Sequence, residues 1–401
     1  MLKRLFALVY IFTSLVLGNG AIPTAISKIF LVLAAAPYIM SGSRNLSILK
    51  PYFLWCISFM VLCWMSLYWA FDRATGMYIV TTVSFVFICN IALSALILNL
   101  NKPIIYWLKI FMYFSLLMSI VFLLKQGINY GEDVSRQGGD ININIIGMVS
   151  GISCSFAFYF YKYDRTLRWK YSMLIFAGVF MFIILLTASR KSLFIPFLVY
   201  SIFKLIGGSN KRALFNILVI SLFLFFILWS VLNIPLLYDM IGYRIDGFLN
   251  GYFGEEEDVD GSTRTRMELV EFGLIVFYLR PFLGYGINNF RAVHTSYFGQ
   301  EIYAHNNYIE LLVDLGVVGL VIYYVFYLYL IVKLYQIYKK YHDHLALIFF
   351  AIIIALVIVH YGFVAFYSPF NNIILTIATC YTLVKSNMSK QSSWELRRRN
   401  F

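Results

Sequence analysis

The sequence predicts an all-α integral membrane protein with about twelve transmembrane helices, and three observations predict it. Of the 401 residues, 61% are hydrophobic and only 13% charged, against about half and about a quarter in a globular protein. The mean hydropathy is +0.78. Apolar runs able to cross a hydrocarbon core about 30 Å thick, which takes roughly 20 helical residues, recur along the whole chain. That composition excludes a disordered chain, a collagen and a typical soluble enzyme. The net charge of +13, from 32 Lys and Arg against 19 Asp and Glu, would suggest nucleic acid in a soluble protein. On so apolar a chain it reads as topology, and no nucleic-acid partner is expected.

The first span, Leu5–Ile22, follows Met-Leu-Lys-Arg and resembles a secretory signal, but the spans behind it make it a retained anchor. Thr24–Met40 and Pro51–Phe71 follow, the second behind Arg44 and Lys50. Met77–Leu100 and Pro103–Leu124 flank Lys102; Ile141–Tyr161 and Tyr171–Ala188 flank Lys162, Arg165, Arg168 and Lys170. Ser192–Ile206 and Leu214–Ile234 flank Lys211 and Arg212. Asn307–Leu334, Leu345–Tyr367 and Pro369–Lys385 complete the set, with Lys339 and Lys340 in one turn and Arg397, Arg398 and Arg399 in the tail.

With both termini cytoplasmic, inside segments hold 21 of the 32 basic residues and only Asp164, Asp343 and Glu395 of the acids, as the positive-inside rule requires. The organisation is then nine spans over 1–234, one large outer loop over 235–306 carrying substrate-site residues, and three spans with a basic tail over 307–401. A shorter outer loop covers Lys125–Asp140. All five cysteines (Cys56, Cys63, Cys89, Cys154, Cys380) fall inside apolar spans and no CxxC occurs. They read as small hydrophobes, with no disulfide and no zinc site expected.

The basic residues differ by side. Inside there are 13 Lys and 8 Arg; outside there are 3 Lys and 8 Arg, namely Arg73, Arg136, Arg190, Arg244, Arg264, Arg266, Arg280 and Arg291. Topology alone does not ask for Arg over Lys, whereas phosphate or carboxylate recognition does, through paired donors and a permanent charge. The rival explanation is pairing with outer acids such as Glu255 to Asp260.

Four stretches stand out. In Pro281-Phe-Leu-Gly-Tyr-Gly-Ile-Asn-Asn-Phe290, Gly284 and Gly286 permit a tight turn, and no strand precedes them to make a phosphate cradle. In Tyr303-Ala-His-Asn-Asn-Tyr-Ile-Glu310, the Asn307-x-x-Glu310 spacing looks like a capping-box variant opening the tenth span. It would put His305 just ahead of a helix N-terminus, where anions bind and a histidine can move protons. In Thr187-Ala-Ser-Arg-Lys-Ser192, Arg190 and Lys191 sit where the seventh span leaves the membrane. A cation there is costly unless paired or in a site, although Lys191 has the reach to snorkel to headgroups. Asp258-Val-Asp260-Gly261 lacks the remaining ligand positions of a calcium loop and reads as solvated. His294, His342, His344 and His360 lie in no comparable setting.

The pattern Arg266…Pro281-x-x-Gly284-x-Gly286-x-x-x-Phe290…His305-Asn306-x-Tyr308-x-Glu310-Leu311, followed by Gly316-x-x-Gly319, resembles the shared domain of bacterial O-antigen ligases and O-antigen polymerases. Thr187-x-Ser189-Arg190 is similar to another recurrent element of that family. The resemblance implies a GT-C-like glycosyltransferase of the bacterial inner membrane. It would act at the periplasmic face on oligosaccharides linked to undecaprenyl pyrophosphate, without metal, nucleotide sugar or other cofactor. It also implies membrane lipids and a chain-length regulator protein as partners. The matched positions are Arg190, Arg266 and His305.

The residues and the resemblance point to one chemistry. A pyrophosphate leaving group needs fixed cations: Arg190 and Arg266 first, then Arg136, Arg264, Arg280, Arg291 and Lys191, with Tyr303, Asn306 and Glu310 as further substrate contacts. His305 is the candidate base for the acceptor hydroxyl; as an imidazolium it would stabilise the pyrophosphate instead. Glu310, Glu268 and Glu271 are rival bases. Direct attack at the anomeric carbon implies inversion. The His-Asn-x-Tyr-x-Glu form favours a polymerase over a ligase that moves finished chains to lipid A–core. A lipid-linked sugar flippase is the rival from another class, and would show inverted repeats, broken helices and ionisable groups at mid-membrane.

Overall fold

A computed structural model of the chain describes residues 2–17, 22–41, 46–100, 102–126, 142–163, 167–208, 213–243, 245–247 and 261–399. Among these there is no strand. Each of the twelve apolar segments is a helix: α1 Leu2–Val16, α2 Ile22–Met40, α3 Lys50–Ser66, α4 Arg73–Asn99, α5 Ile104–Gln126, α6 Ile143–Tyr163, α7 Leu167–Leu186, α8 Arg190–Gly207 and α9 Ala213–Asn233. The segment expected as an outer loop contributes short helical turns over Pro235–Leu237 and Tyr238–Gly242 and two longer helices, α10 Gly261–Leu279 and α11 Asn289–Phe298, before α12 Asn307–Tyr341, α13 His344–Val359 and α14 Pro369–Arg399.

Seven helices among the described residues are long and apolar enough to cross a membrane. The remaining five segments differ for local reasons. α1 has 15 residues, about 22 Å at 1.5 Å per residue. α7 offers an apolar run of only Lys170–Leu186. α8 carries Arg190, Lys191 and Lys204 within 18 residues. Side chains of α9 and of the end of α14 lie partly outside the described residues. The chain is a multi-pass helical membrane protein.

Connections gather at two ends of the bundle, as alternating helices require. At one end the segment after α3 meets the turn after α10: Trp69 Nε1 donates to Leu283 O at 3.0 Å, and Phe71 N to Tyr285 O at 2.8 Å. At the other end Lys385 on α14 pairs with Asp343 at 2.8 Å, and the Tyr163 ring stacks on His344 at 4.6 Å. All five cysteines are buried and free.

One feature departs from an uninterrupted tenth span. α12 is broken at Gly316, whose φ of 65° and ψ of −167° lie outside any helix. The turn Pro281–Gly286 fills the break. Tyr285 N donates to Val313 O at 2.9 Å and Gly286 N to Asp314 O at 2.8 Å, while Val317 N donates to Pro281 O at 2.8 Å. The Asp314 carboxylate, fully buried, accepts from Asn288 N at 2.6 Å and Phe290 N at 2.8 Å at the start of α11. The two glycine motifs, thirty residues apart in sequence, are therefore the two halves of one joint. A Cβ on Gly316 would run into the Phe282 carbonyl.

Candidate functional site

Around the start of α8, α10 and the segment ahead of α12 the chain builds a two-lobed cavity. One lobe, about 340 Å³, is lined by residues of Asn142–Ile145, Thr187, Ala188, Lys191, Arg266, Tyr303, His305 and the strap between α13 and α14 from Gly362 to Pro369. The other, about 390 Å³, is lined by Ala188–Lys191, Thr263, Arg266, His305 and Asn306, and by the apolar Phe194, Met267, Val270, Ile358 and Val359. Asn144, Ala188, Lys191, Arg266, His305 and Gly362 line both, so they form the waist. Both volumes fall in the range of small-ligand sites.

Each waist residue is placed by a local device. α7 stops because Ala188 turns to a φ of +46°, a left-handed conformation uncommon outside glycine. The turn puts Arg190 and Lys191 in the first turn of α8, on the positive end of its dipole, where cations are unfavourable and an anion would be welcome. Arg190 Nη2 donates to Thr263 Oγ1 at 3.1 Å, tying α8 to α10, and Lys191 Nζ donates to Gly362 O at 2.6 Å, tying it to the strap. Gly147 lets α6 approach this turn, since a Cβ there would meet Ser192 and Thr187. On α10, Thr263, Arg266, Met267 and Val270 repeat at helical spacing and line the second lobe. Gly273, further along the helix, seats α10 against Ile309 of α12.

His305 also has a left-handed backbone, φ +53°. The residues around it over-determine that geometry. Asn306, rather than Asn307, is the N-cap of α12: its side-chain oxygen accepts from Tyr308 N at 2.9 Å and Ile309 N at 3.3 Å. Glu310 reaches back past the cap to accept from Ala304 N at 2.8 Å. The Tyr303 ring lies 3.8 Å from the His305 ring, and the Arg291 guanidinium lies 5.0 Å from the Tyr303 ring. Asn307 accepts from Ala365 N at 2.7 Å and thereby holds the strap. Burial, reinforced by Arg266, Lys191 and Arg291, pushes the His305 imidazole down to about 4. It is therefore neutral near pH 7, the form that accepts a proton.

The structure brings together Arg190, Lys191, Arg266, Tyr303, His305 and Asn306. It places other candidates elsewhere. Arg264 is largely exposed and pairs with Glu268 at 3.8 Å. Arg280 is exposed and lies over the Tyr285 ring at 4.6 Å. Arg291 pairs with Glu301 at 3.7 Å, behind Tyr303. Glu310 is fully buried and lines neither lobe. Arg136 and the acidic run Glu255 to Asp260 lie outside the described residues. Residues not singled out from the sequence include Asn142, Asn144, Thr263, Tyr367 and Ser368. The available signal was weak: polar, uncharged residues at the outer ends of apolar runs, which resemble ordinary caps.

The comparison with known proteins fits this geometry. Residues 174–324 match the O-antigen ligase family model. The resemblance drawn from the motifs is thus shown over a segment that covers under half of the chain and contains Thr187–Lys191, Arg266, the Pro281–Phe290 turn, His305 and the Gly316 joint. No curated protein sequence matches the chain. Within the family segment lie both cations of the waist, Lys191 and Arg266, its histidine, and Arg190 of the second lobe; Asn142, Asn144 and the strap lie outside it.

Proposed function

We infer that the chain is an O-antigen polymerase, a glycosyltransferase that joins oligosaccharide repeat units carried on undecaprenyl pyrophosphate. In this reading all twelve apolar segments span a bacterial inner membrane in a GT-C-like arrangement. Both termini are cytoplasmic, the cavity faces the periplasm, and the 235–306 segment, which lines it through Thr263, Arg266 and Tyr303–Asn306, lies between nine preceding and three following spans. The observation that carries the reading is the convergence of Lys191 and Arg266 with a neutral His305 at the waist of the cavity, and of Arg190 in the adjoining lobe.

The chemistry follows from that placement. The pyrophosphate of the donor sits against Arg190, Lys191 and Arg266, its polyprenyl chain leaving past Phe194, Met267 and Ile358. The acceptor hydroxyl loses its proton to His305 as its oxygen attacks the anomeric carbon. The bond from that carbon to the pyrophosphate oxygen breaks, and the leaving group keeps the electron pair and inverts the centre. The cations stabilise charge that grows only in the transition state, where fixed donors act most strongly. A bound pyrophosphate also offsets the positive field on His305 and makes it a better base once the donor is in place. Charge neutralisation by a divalent metal is assigned to these side chains, so chelation is expected to leave transfer intact.

Two variants test the reading in a strain lacking the chromosomal copy. His305→Ala and Arg190→Ala, each expressed at wild-type level, are expected to lose at least about 100-fold of activity, the usual effect of one such group. Normal polysaccharide ladders from both would refute the site. Arg190→Lys separates paired donation from bare charge, since only the guanidinium offers two parallel bonds. The family description favours a second reading, a ligase moving polymer to lipid A–core. One gel separates them: loss of a polymerase leaves core with a single repeat, whereas loss of a ligase leaves bare core and polymer on the carrier. A chain-length regulator is the protein partner expected for the polymerase.

A further inference from the structure

The two lobes are built by different parts of the chain. The cations and His305 come from the segment shared with the family, whereas much of the first lobe's polar wall comes from outside it. Asn142 and Asn144 stand at the start of α6, and Tyr367 and Ser368 stand at the end of the strap. This wall has the chemistry of a carbohydrate site: two carboxamides, a hydroxyl and, with Tyr303, two phenol rings, all uncharged.

Ser368 is the informative member. It is 3% exposed and lines the lobe, yet its Oγ has no hydrogen-bond partner among the described residues. A buried hydroxyl left unpaired costs about 1–3 kcal/mol, and such an exception calls for an explanation. A ligand hydroxyl in the lobe supplies one. The Ser368 backbone is held in place, its N–H donating to Ala365 O at 3.0 Å and its carbonyl accepting from Asn372 Nδ2 at 2.8 Å. The backbone that carries the hydroxyl is thus fixed beside the lobe. The Asn142 side-chain oxygen is occupied by Asn144 N at 2.9 Å, which leaves its NH₂ group as a donor at the rim.

We propose that this lobe is the acceptor-sugar site, and that Ser368 and Asn144 contact the acceptor's hydroxyls and decide which repeat unit is extended. The proposal rests on the donor pyrophosphate occupying the waist. The donor is then anchored through its phosphates and lipid by the family segment, while the acceptor is recognised through its sugar hydroxyls by residues outside that segment. A site built to bond a hydroxyl discriminates strongly against an analogue lacking it.

The test uses the full chain in detergent and a repeat-unit oligosaccharide from the source strain's own polysaccharide. Its reducing end carries a short alkyl group in place of pyrophosphate, so it can accept but not donate. Binding is read by saturation-transfer NMR, and binding of polyprenyl pyrophosphate is read separately. Ser368→Ala and Asn144→Ala are expected to weaken oligosaccharide binding about tenfold each, with melting temperatures close to wild type and, for Ser368→Ala, which lies away from the waist, polyprenyl pyrophosphate binding within about twofold. Unchanged oligosaccharide binding in both variants would overturn the proposal, as would weakened binding of polyprenyl pyrophosphate in its place. A wild-type protein that binds the oligosaccharide, and loses it in these variants, but transfers no sugar would refute the glycosyltransferase reading while the sugar site stands.

Discussion

The interruptions of the helical path at Gly316 and at Ala188 are resolved in opposite ways. At Gly316 the freed backbone groups are satisfied internally: the carbonyls of Val313 and Asp314 accept from Tyr285 and Gly286, and Val317 N–H finds Pro281. The joint contributes nothing to either lobe. At Ala188 the chain turns just as sharply, but the result is Arg190 and Lys191 at the mouth of α8, lining the cavity. Within a membrane an open helix end is costly. Where the backbone closes the account internally, the interruption is architectural. Where it leaves cations on a dipole end beside a void, the interruption suits the anionic donor proposed above.

The largest effect expected from this contrast is on Gly316. Gly316→Ala meets both a left-handed φ and the Phe282 carbonyl, two penalties that no flexible side chain can relieve. Loss of monodisperse protein after detergent extraction is the expected outcome. Ala188→Gly should do the reverse: the turn is relieved of its strain, so the melting temperature holds or rises while transfer falls as Arg190 and Lys191 lose their fixed placement. A folded, active Gly316→Ala protein would show that the joint is not the rigid element described here.

Glu310 comes next, because it separates a supporting role from a chemical one. It is fully buried and accepts from Ala304 N, one residue before His305. Glu310→Ala leaves that N–H unpaired and opens a void, a combination worth about 2–4 kcal/mol, and should be visible as a lowered melting temperature and lost activity. Glu310→Gln keeps an oxygen acceptor and should retain most of the activity. Were Glu310 the base, the Gln variant would be as inactive as Ala, and a steady-state assay of the two variants decides the matter.

Much of this was legible in the sequence, and the parts that were not share a cause. All twelve apolar segments form helices. Boundaries shifted where a single polar residue intervened: Asp72 caps α4 through Ala74 N at 2.9 Å and starts it ahead of the expected Met77, and the helix expected to reach Tyr367 ends at Val359. Of the eight arginines expected outside, Arg190 and Arg266 line the cavity, while Arg264, Arg280 and Arg291 have other partners; an excess of charge marks a neighbourhood and does not tell its members apart. The break at Gly316 was invisible because Leu-Gly-Val-Val-Gly is uniformly apolar, and hydropathy carries no backbone information. Asn144 and Ser368 were invisible because they are uncharged and far apart in sequence; only the fold brings them to one lobe.

The pH dependence sharpens the comparison on the cation side. A free histidine titrates near 6.5, whereas His305 is held down to about 4. Between these values the unfolded chain takes up a proton that the folded chain refuses. This group's contribution to stability is therefore complete above about pH 6.5 and is lost as pH falls toward 4. The melting temperature of wild type should drop over that window more steeply than that of His305→Gln. The acid limb of kcat/KM, which reports the free enzyme, should lie nearer 4 than 6.5. Arg266→Gln should move the His305 titration upward in an NMR experiment, since one of the charges opposing protonation is gone.

The smallest effect expected is also the cleanest control for charge against placement. Arg264 and Arg266 share α10 and differ by two positions, about 200° around the helix. Arg266 lines both lobes, while Arg264 is solvated and pairs with Glu268 four residues on, an arrangement worth about 0.3–0.5 kcal/mol. Arg264→Ala should change transfer by less than about twofold and leave the melting temperature nearly fixed. Arg266→Ala removes the same formal charge from the same helix and should cost about 100-fold or more. If the two variants were equally impaired, the outer arginines would be acting as a diffuse positive field that gathers anionic lipid carriers. In that case the salt dependence of both variants would differ from wild type in the same way. Unequal impairment, with the wild-type salt dependence kept by Arg264→Ala, assigns the effect to the one guanidinium that the helix turns into the cavity.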